Sequence, residues 1–345
     1  MSGKIRFFGL VMLLGLVGAV LLLGVSGWGQ KKPPKPPEPP ADPAIAYVAE
    51  KGWGHTNLMV MNADGSNQKV LLDGITGDGS GNHDPNWSPD GNWIVFGRTL
   101  DSFGYVNYIS MIRKDGSGLC DLTPIAQTPV WGLGGAPRWS PYPIQDLSRV
   151  LYFELDPGGI FLVSAACPAS VVSNLPIPLG QPTWAPYSET KGVRFAALME
   201  NPPGSGDDDI IVFELKYDWQ GWTVTETANL TDVVGGLENV DILDMDWARL
   251  SDSLAVTAWI VGEDDTDLWV LHMEDPAHPI NITNTPTISE RAPSWSPLDT
   301  QIVFEVRELK NSGIYVMNAD GSNVKRLAAS ASNVKLRAPD WRRNQ

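Results

Sequence analysis

Reactive side chains are scarce in this chain. Among 345 residues there are two cysteines and four histidines, and no H-E-x-x-H zinc signature occurs. The nucleophile elbow G-x-S-x-G is also missing: Ser80 lies in Gly77-Asp78-Gly79-Ser80-Gly81, with Asp where the first Gly belongs. Positive charge is short too, with 25 Lys and Arg against 40 Asp and Glu and a formal net charge of −15. Such a chain repels phosphate backbones, which excludes nucleic acid as a partner. No Cys follows the N-terminal apolar run, so lipid attachment at a lipobox is excluded as well.

The first residues differ from the rest. Lys4 and Arg6 precede an apolar stretch from Phe7 to Val25, followed by the small residues Ser26 and Gly27. The stretch is long for a signal peptide and just long enough for a membrane span, so residues 1–27 read as a cleaved leader or a retained anchor. Residues 28–43 form a Pro-rich linker, with Lys-Lys-Pro-Pro-Lys-Pro-Pro-Glu-Pro-Pro-Ala-Asp-Pro from 31 to 43. That composition favours an extended polyproline II spacer. The chain is therefore expected to be exported, to the periplasm or the cell exterior, and to be a monomer.

From residue 44 onward one signal recurs six times: a short segment ending in Trp. The copies are DPNW to Trp87, APRW to Trp139, QPTW to Trp184, DMDW to Trp247, APSW to Trp295 and APDW to Trp341. Their spacings of 52, 45, 63, 48 and 46 residues match one four-stranded propeller blade, which buries its faces only by stacking on its neighbours. After the Trp comes a turn such as Ser88-Pro89-Asp90-Gly91, with Pro to pre-set φ and Gly to accept positive φ. Apolar strands follow, for example Ile94-Val95-Phe96 and Ile302-Val303-Phe304.

The two ends of the repeat region complement each other. The last copy supplies one strand before the sequence stops, and three strands without an inner partner stand at the start: Ile45–Val48, Leu58–Met61 and Lys69–Leu72. Val60 to Asn67 recurs letter for letter at Val316 to Asn323, which puts the N-terminal piece in phase. The expected fold is all-β, a six-bladed propeller over 44–345 with one blade closed by N- and C-terminal strands. Cys120 and Cys167 are open to two readings, a bridge or two small buried hydrophobes.

The xPxW, Ser-Pro-Asp-Gly and Asn-Ala-Asp-Gly-Ser-Asn elements resemble the WD40-like repeat of TolB-type propellers, the six-bladed periplasmic module of the Tol–Pal envelope system. The resemblance runs from about Pro43 to Trp341. It is weakest where Ala185-Pro186-Tyr187-Ser188 and Ala248-Arg249-Leu250-Ser251 replace the turn. A Pro-rich spacer stands where TolB carries an α/β domain. The resemblance implies a non-catalytic scaffold that binds a protein, peptide or other cell-envelope ligand. The alternative is a hydrolase or lyase acting on peptide or carbohydrate at the channel mouth.

Residues leading into the innermost strands should crowd around that mouth: His83, Asp84, Gln181, Asp244, Glu290, Arg291 and Arg337. Arg291 and Arg337 both stand four residues before a Trp, so they should converge and need a carboxylate between them, with Glu290 and Asp84 as internal candidates. Trp53-Gly54-His55 and Phe103-Gly104-Tyr105 are expected on the rims. No cofactor is expected, apart from one calcium candidate. Asp78, Ser80, Asn82 and Asp84 space oxygen ligands at alternate positions, without the Gly and Glu of an EF-hand loop.

Overall fold

Every apolar run that follows a Trp turn is a strand. In chain order these are β1 (Ile45–Lys51), β2 (His55–Met61), β3 (Lys69–Leu72), β4 (Gly81–Trp87), β5 (Trp93–Thr99), β6 (Asn107–Arg113), β7 (Cys120–Asp121) and β8 (Gly135–Trp139). There follow β9 (Arg149–Glu154), β10 (Gly159–Ser164), β11 (Val172–Leu175), β12 (Pro182–Trp184), β13 (Val193–Glu200), β14 (Asp208–Asp218) and β15 (Gly221–Asn229). After a helical turn, α1 (Leu230–Val233), come β16 (Val240–Trp247), β17 (Ser253–Ile260), β18 (Asp267–His272) and β19 (Ile280–Asn281). The last are β20 (Ser289–Trp295), β21 (Gln301–Arg307), β22 (Gly313–Asn318), β23 (Lys325–Ala329) and β24 (Val334–Trp341). The computed structural model describes residues 42–343, apart from 53–54, 75–80, 100–106, 124–134, 145–148, 155–158, 168–171, 176, 178–179, 201–207, 219–220, 234–239, 261 and 309. Leader, linker to residue 41, Trp53-Gly54 and Phe103-Gly104-Tyr105 thus lie outside the described residues. Among the described residues no helix is long and apolar enough to cross a membrane.

Four sheets are separate antiparallel units of four strands: β8–β11, β12–β15, β16–β19 and β20–β23. The remaining eight strands form one sheet, in which β24, β1, β2 and β3 meet β4–β7. That junction differs from the separate blades expected, and it consists of one parallel pairing, Thr56 with Gly81. Asn82 fixes it: its N–H donates to Thr56 Oγ1 at 2.6 Å and its side-chain amide to the Thr56 carbonyl at 3.0 Å. The expected terminal closure is present, with β24 antiparallel to β1 from Val334–Lys51 to Trp341–Ile45.

The Trp-bearing strands β4, β8, β12, β16, β20 and β24 neighbour one another in that cyclic order, with β24 beside β4. Between successive units lies a hydrophobic cluster, and each cluster contains one of the six Trp side chains. Trp87, for example, packs with Ala46, Leu58 and Val60 of the unit before its own. All six indoles are buried.

The repeated turns form as their residues dictate. In both Asn-Ala-Asp-Gly-Ser-Asn copies the Asp carboxylate accepts the Ser N–H, at 2.9 Å for Asp64 and 3.0 Å for Asp320. Gly65 and Gly321 take φ of 87° and 83°. Cys120 and Cys167 form a disulfide with Cα atoms 6.3 Å apart, tying β7 to the end of β10 and so joining adjacent sheets.

A backbone feature gave no sign in the sequence. Asp84, Ala136, Ala292 and Ala338, each directly before a repeat Pro, have φ of 47–49°. Left-handed backbone at a side-chain-bearing residue costs about 1–2 kcal/mol. The ladders of β4, β8 and β20 shift register there, as bulged strands do when they re-aim the next side chain.

Deleting residues 338–345 removes the inner partner of Ile45 and Ala46 together with Trp341. The expected result is a fall in melting temperature of about 10 °C or more, followed by circular dichroism. An unchanged melting temperature would contradict the closure.

Candidate functional site

Asp84, Arg138, Asp244, Ala292, Ala338 and their neighbours line an open recess of about 40 Å³ on the axis, room for a few waters. At its upper mouth, where the inner strands begin, stands a cluster of ionised side chains.

The sequence placed His83 and Asp84 there, and they pair: His83 Nδ1 lies 3.1 Å from Asp84 Oδ2. The imidazole lies against Gly97 of β5, where a Cβ would fall 2.0 Å from Cε1. Its Nε2 is buried without a hydrogen bond. Burial opposes ionisation of Asp84, but the His83 hydrogen bond, the charges of His83 and Arg138 and the Ala136 N–H outweigh it and hold the carboxyl below its ordinary value. Asp244 goes the other way. Burial pushes its carboxyl up, Asp84 and Glu305 add to this, and Arg291 and Arg307 pull back only in part.

Arg291 and Arg337 do share one electrostatic neighbourhood. Burial lowers the Arg291 pKa, and the charges of Arg307 and Arg337 lower it further against Asp244 and Glu305. Their carboxylate neighbours differ from those expected. Arg337 Nε donates to Glu50 Oε2 at 2.5 Å and its Nη1 to Glu305 Oε1 at 3.4 Å. Glu305, 1% exposed, also pairs with Arg307 and accepts the Ala338 N–H at 3.2 Å.

Glu290 does not face this cluster. Adjacent strand residues point to opposite sides, so Glu290 and Arg291 separate. The Glu290 carboxyl accepts Thr285 Oγ1 at 2.5 Å, its other oxygen has no hydrogen bond, and burial with Asp267 nearby pushes it up to about 7. Gln181 is half-buried, its carbonyl accepts the Leu198 N–H at 3.2 Å, and it does not line the axial recess. Of the calcium candidates, Asp78 and Ser80 lie outside the described residues, Asn82 is committed to Thr56 and Asp84 to His83. Among the described residues no group of three or more His, Cys, Asp or Glu is arranged to hold a metal ion.

Sequence reasoning missed Glu50, Arg138, Glu305 and Arg307. A signal existed for one: Glu305 interrupts the apolar run Ile302–Val306, and a charge inside a strand core must be paired, here by Arg307 just beyond the run.

At the lower mouth, where the inner strands end, Arg343 reaches from just beyond β24 to β16. Arg343 pairs with Asp246 and donates to the Trp247 carbonyl at 2.7 Å. Arg249 Nη1 donates to the Arg343 carbonyl at 2.6 Å.

No family model matches the chain. A curated relative, the Tol-Pal system protein TolB of Rhizorhabdus wittichii, is 36% identical over 90 residues, which is 26% of this chain and 17% of that protein. The crystal structure of TolB from Acinetobacter baumannii superposes with a TM-score of 0.64 at 17% identity, covering 88% of this chain and 68% of TolB. Hydrazine synthase of Kuenenia stuttgartiensis gives 0.61 at 12% identity, covering 86% of this chain and 46% of that one. A TolB and an enzyme share this architecture, so the fold decides no chemistry by itself.

Because burial raises the Glu290 carboxyl above its ordinary 4.5, its contribution to stability is complete below about pH 4.5 and is lost as the pH rises through about 7. Glu290→Gln copies the protonated acid. It should match wild type near pH 4 and gain up to about 3 kcal/mol by pH 8 in urea unfolding. A difference independent of pH would contradict this assignment. In fold the ring is similar to the propeller of TolB.

Proposed function

We propose that this chain is an exported, non-catalytic propeller of six blades that binds a protein or peptide partner at the cell envelope through its upper mouth. The blade count takes the eight-stranded sheet as two units, because β2 and β4 meet at one pairing and a hydrophobic cluster lies between their faces. The leader and Pro-rich linker support export and a ring held on a spacer.

One observation carries the binding reading. Arg291 is half-buried at the mouth of a protein of net charge −15, and among the described residues it has no ion pair and no hydrogen bond. A desolvated guanidinium without a partner is costly, and a carboxylate supplied from outside offsets that cost by bidentate contact.

The enzyme reading keeps one specific support, the His83–Asp84 pair, which has the form of an oriented general base. The buried Nε2 of that histidine counts against it. His83→Ala would abolish turnover of a peptide or carbohydrate under that reading, whereas under ours there is no turnover to lose.

Arg291→Ala tests the binding reading, since Arg337 is committed to Glu50 and Glu305. With wild type and variant of equal melting temperature, partners recovered from envelope extract are compared by calorimetry. The variant should lose about 1–3 kcal/mol of affinity for an anionic partner. The same partners at the same affinity would remove the upper mouth as the site.

A further inference from the structure

Beside the upper mouth, off the axis, lies a second and larger space. It occupies about 480 Å³ between the ends of β21 and β22 and the segment leading into β24. Its floor is Glu305, held by Arg307 and Arg337. Its walls add Lys310, Lys335 and Glu308. Four cations and two carboxylates line it, a local excess of positive charge in a strongly acidic protein. Glu308 is further engaged, accepting the Asn311 amide at 2.9 Å.

The chemistry of the occupant follows from what the pocket already holds. Two guanidiniums grip the planar carboxylate of Glu305, and Arg337 grips that of Glu50 at 2.5 Å. The local geometry thus suits carboxylates. Lys310 and Lys335 are exposed and, among the described residues, have no ion pair. Ser312, Ser330 and Ser332 line the same space, and the Ser330 hydroxyl accepts the Leu336 N–H at 3.1 Å. The volume suits a ligand of one to three residues or a small organic acid.

We infer that this pocket is a binding site for a carboxylate, gripped by Lys310 and Lys335 above the Glu305–Arg307–Arg337 floor. Arg291 does not line this pocket, although it stands opposite Glu305 on the neighbouring strand. Two sources share the chemistry: the C-terminal carboxylate of a peptide and a free organic acid.

The test uses the whole chain and three probes: acetyl-trialanine with a free C-terminus, its C-terminal amide, and succinate. Wild type should bind the free-acid peptide saturably and more weakly as salt rises, and bind the amide about tenfold less well, the scale of one charge-assisted contact. Lys310→Gln with Lys335→Gln should weaken acid binding by about tenfold without altering the melting temperature. Displacement of the peptide by succinate assigns a free acid as sufficient, and its failure to compete assigns a peptide terminus. Absence of binding by either acid, equal binding of acid and amide, or equal affinity of the double variant would each overturn the site. The Lys310→Gln, Lys335→Gln variant keeps Arg291, so probe binding and partner capture measured on it tell failure here from failure of the partner reading.

Discussion

The inner strand of each unit has a bare edge. Its outer side pairs with the next strand, but its N–H groups on the axial side have no strand to meet, and a buried donor must be paired. Side chains from the neighbouring unit meet them. The residue before each Trp accepts the main-chain N–H of the next Trp in the cycle. Asn86 accepts from Trp139 at 2.7 Å, Thr183 from Trp247 at 3.3 Å and Asp246 from Trp295 at 2.9 Å. Ser294 accepts from Trp341 at 3.0 Å, and Asp340 closes the circle by accepting from Trp87 at 2.7 Å. One joint differs. Arg138 has no acceptor to offer, and there the Trp184 indole N–H donates to the Arg138 carbonyl at 3.0 Å instead.

This relay explains several otherwise separate features. Left-handed residues precede three of the acceptors, Asn86, Ser294 and Asp340, and also Arg138, whereas Thr183 and Asp246 accept without one. The cost of gathering acids on the axis shows in Asp340. Burial pushes its carboxyl up to about 6, with Arg343 and the Trp87 N–H pulling back and Asp246 adding to the rise. Arg343 and Arg138 bring compensating charge to that axis. The ion cluster at the upper mouth is different in kind, because Arg291 has Asp244 and Glu305 nearby but, among the described residues, no hydrogen bond or ion pair with either.

Much of the fold was legible. The Trp period, the turn residues and the phase of Val60–Asn67 located the strands, the closure and the Asn-Ala-Asp-Gly-Ser-Asn turns, because local chemistry dictates them. The site was legible in part. Position relative to the Trp brought His83, Asp84, Asp244, Arg291 and Arg337 to one end of the axis. It could not assign their partners, since Glu50 and Glu305 come from strands far away in sequence. Glu290 was misplaced because strand alternation was not applied to its step from Arg291. The relay itself was hidden for another reason. Asn, Arg, Thr, Asp and Ser at one repeat position look unrelated until their shared role as acceptors, and Arg138's inability to fill it, is seen in space.

The relay is tested most directly by native-state hydrogen exchange on protein labelled at the tryptophan main-chain nitrogens. The amides of Trp87, Trp139, Trp247, Trp295 and Trp341 should exchange only with global unfolding, while that of Trp184, with no side-chain acceptor, exchanges faster by local opening. Equal protection of all six, or fast exchange at the five joined positions, would contradict the view that these hydrogen bonds hold the ring closed.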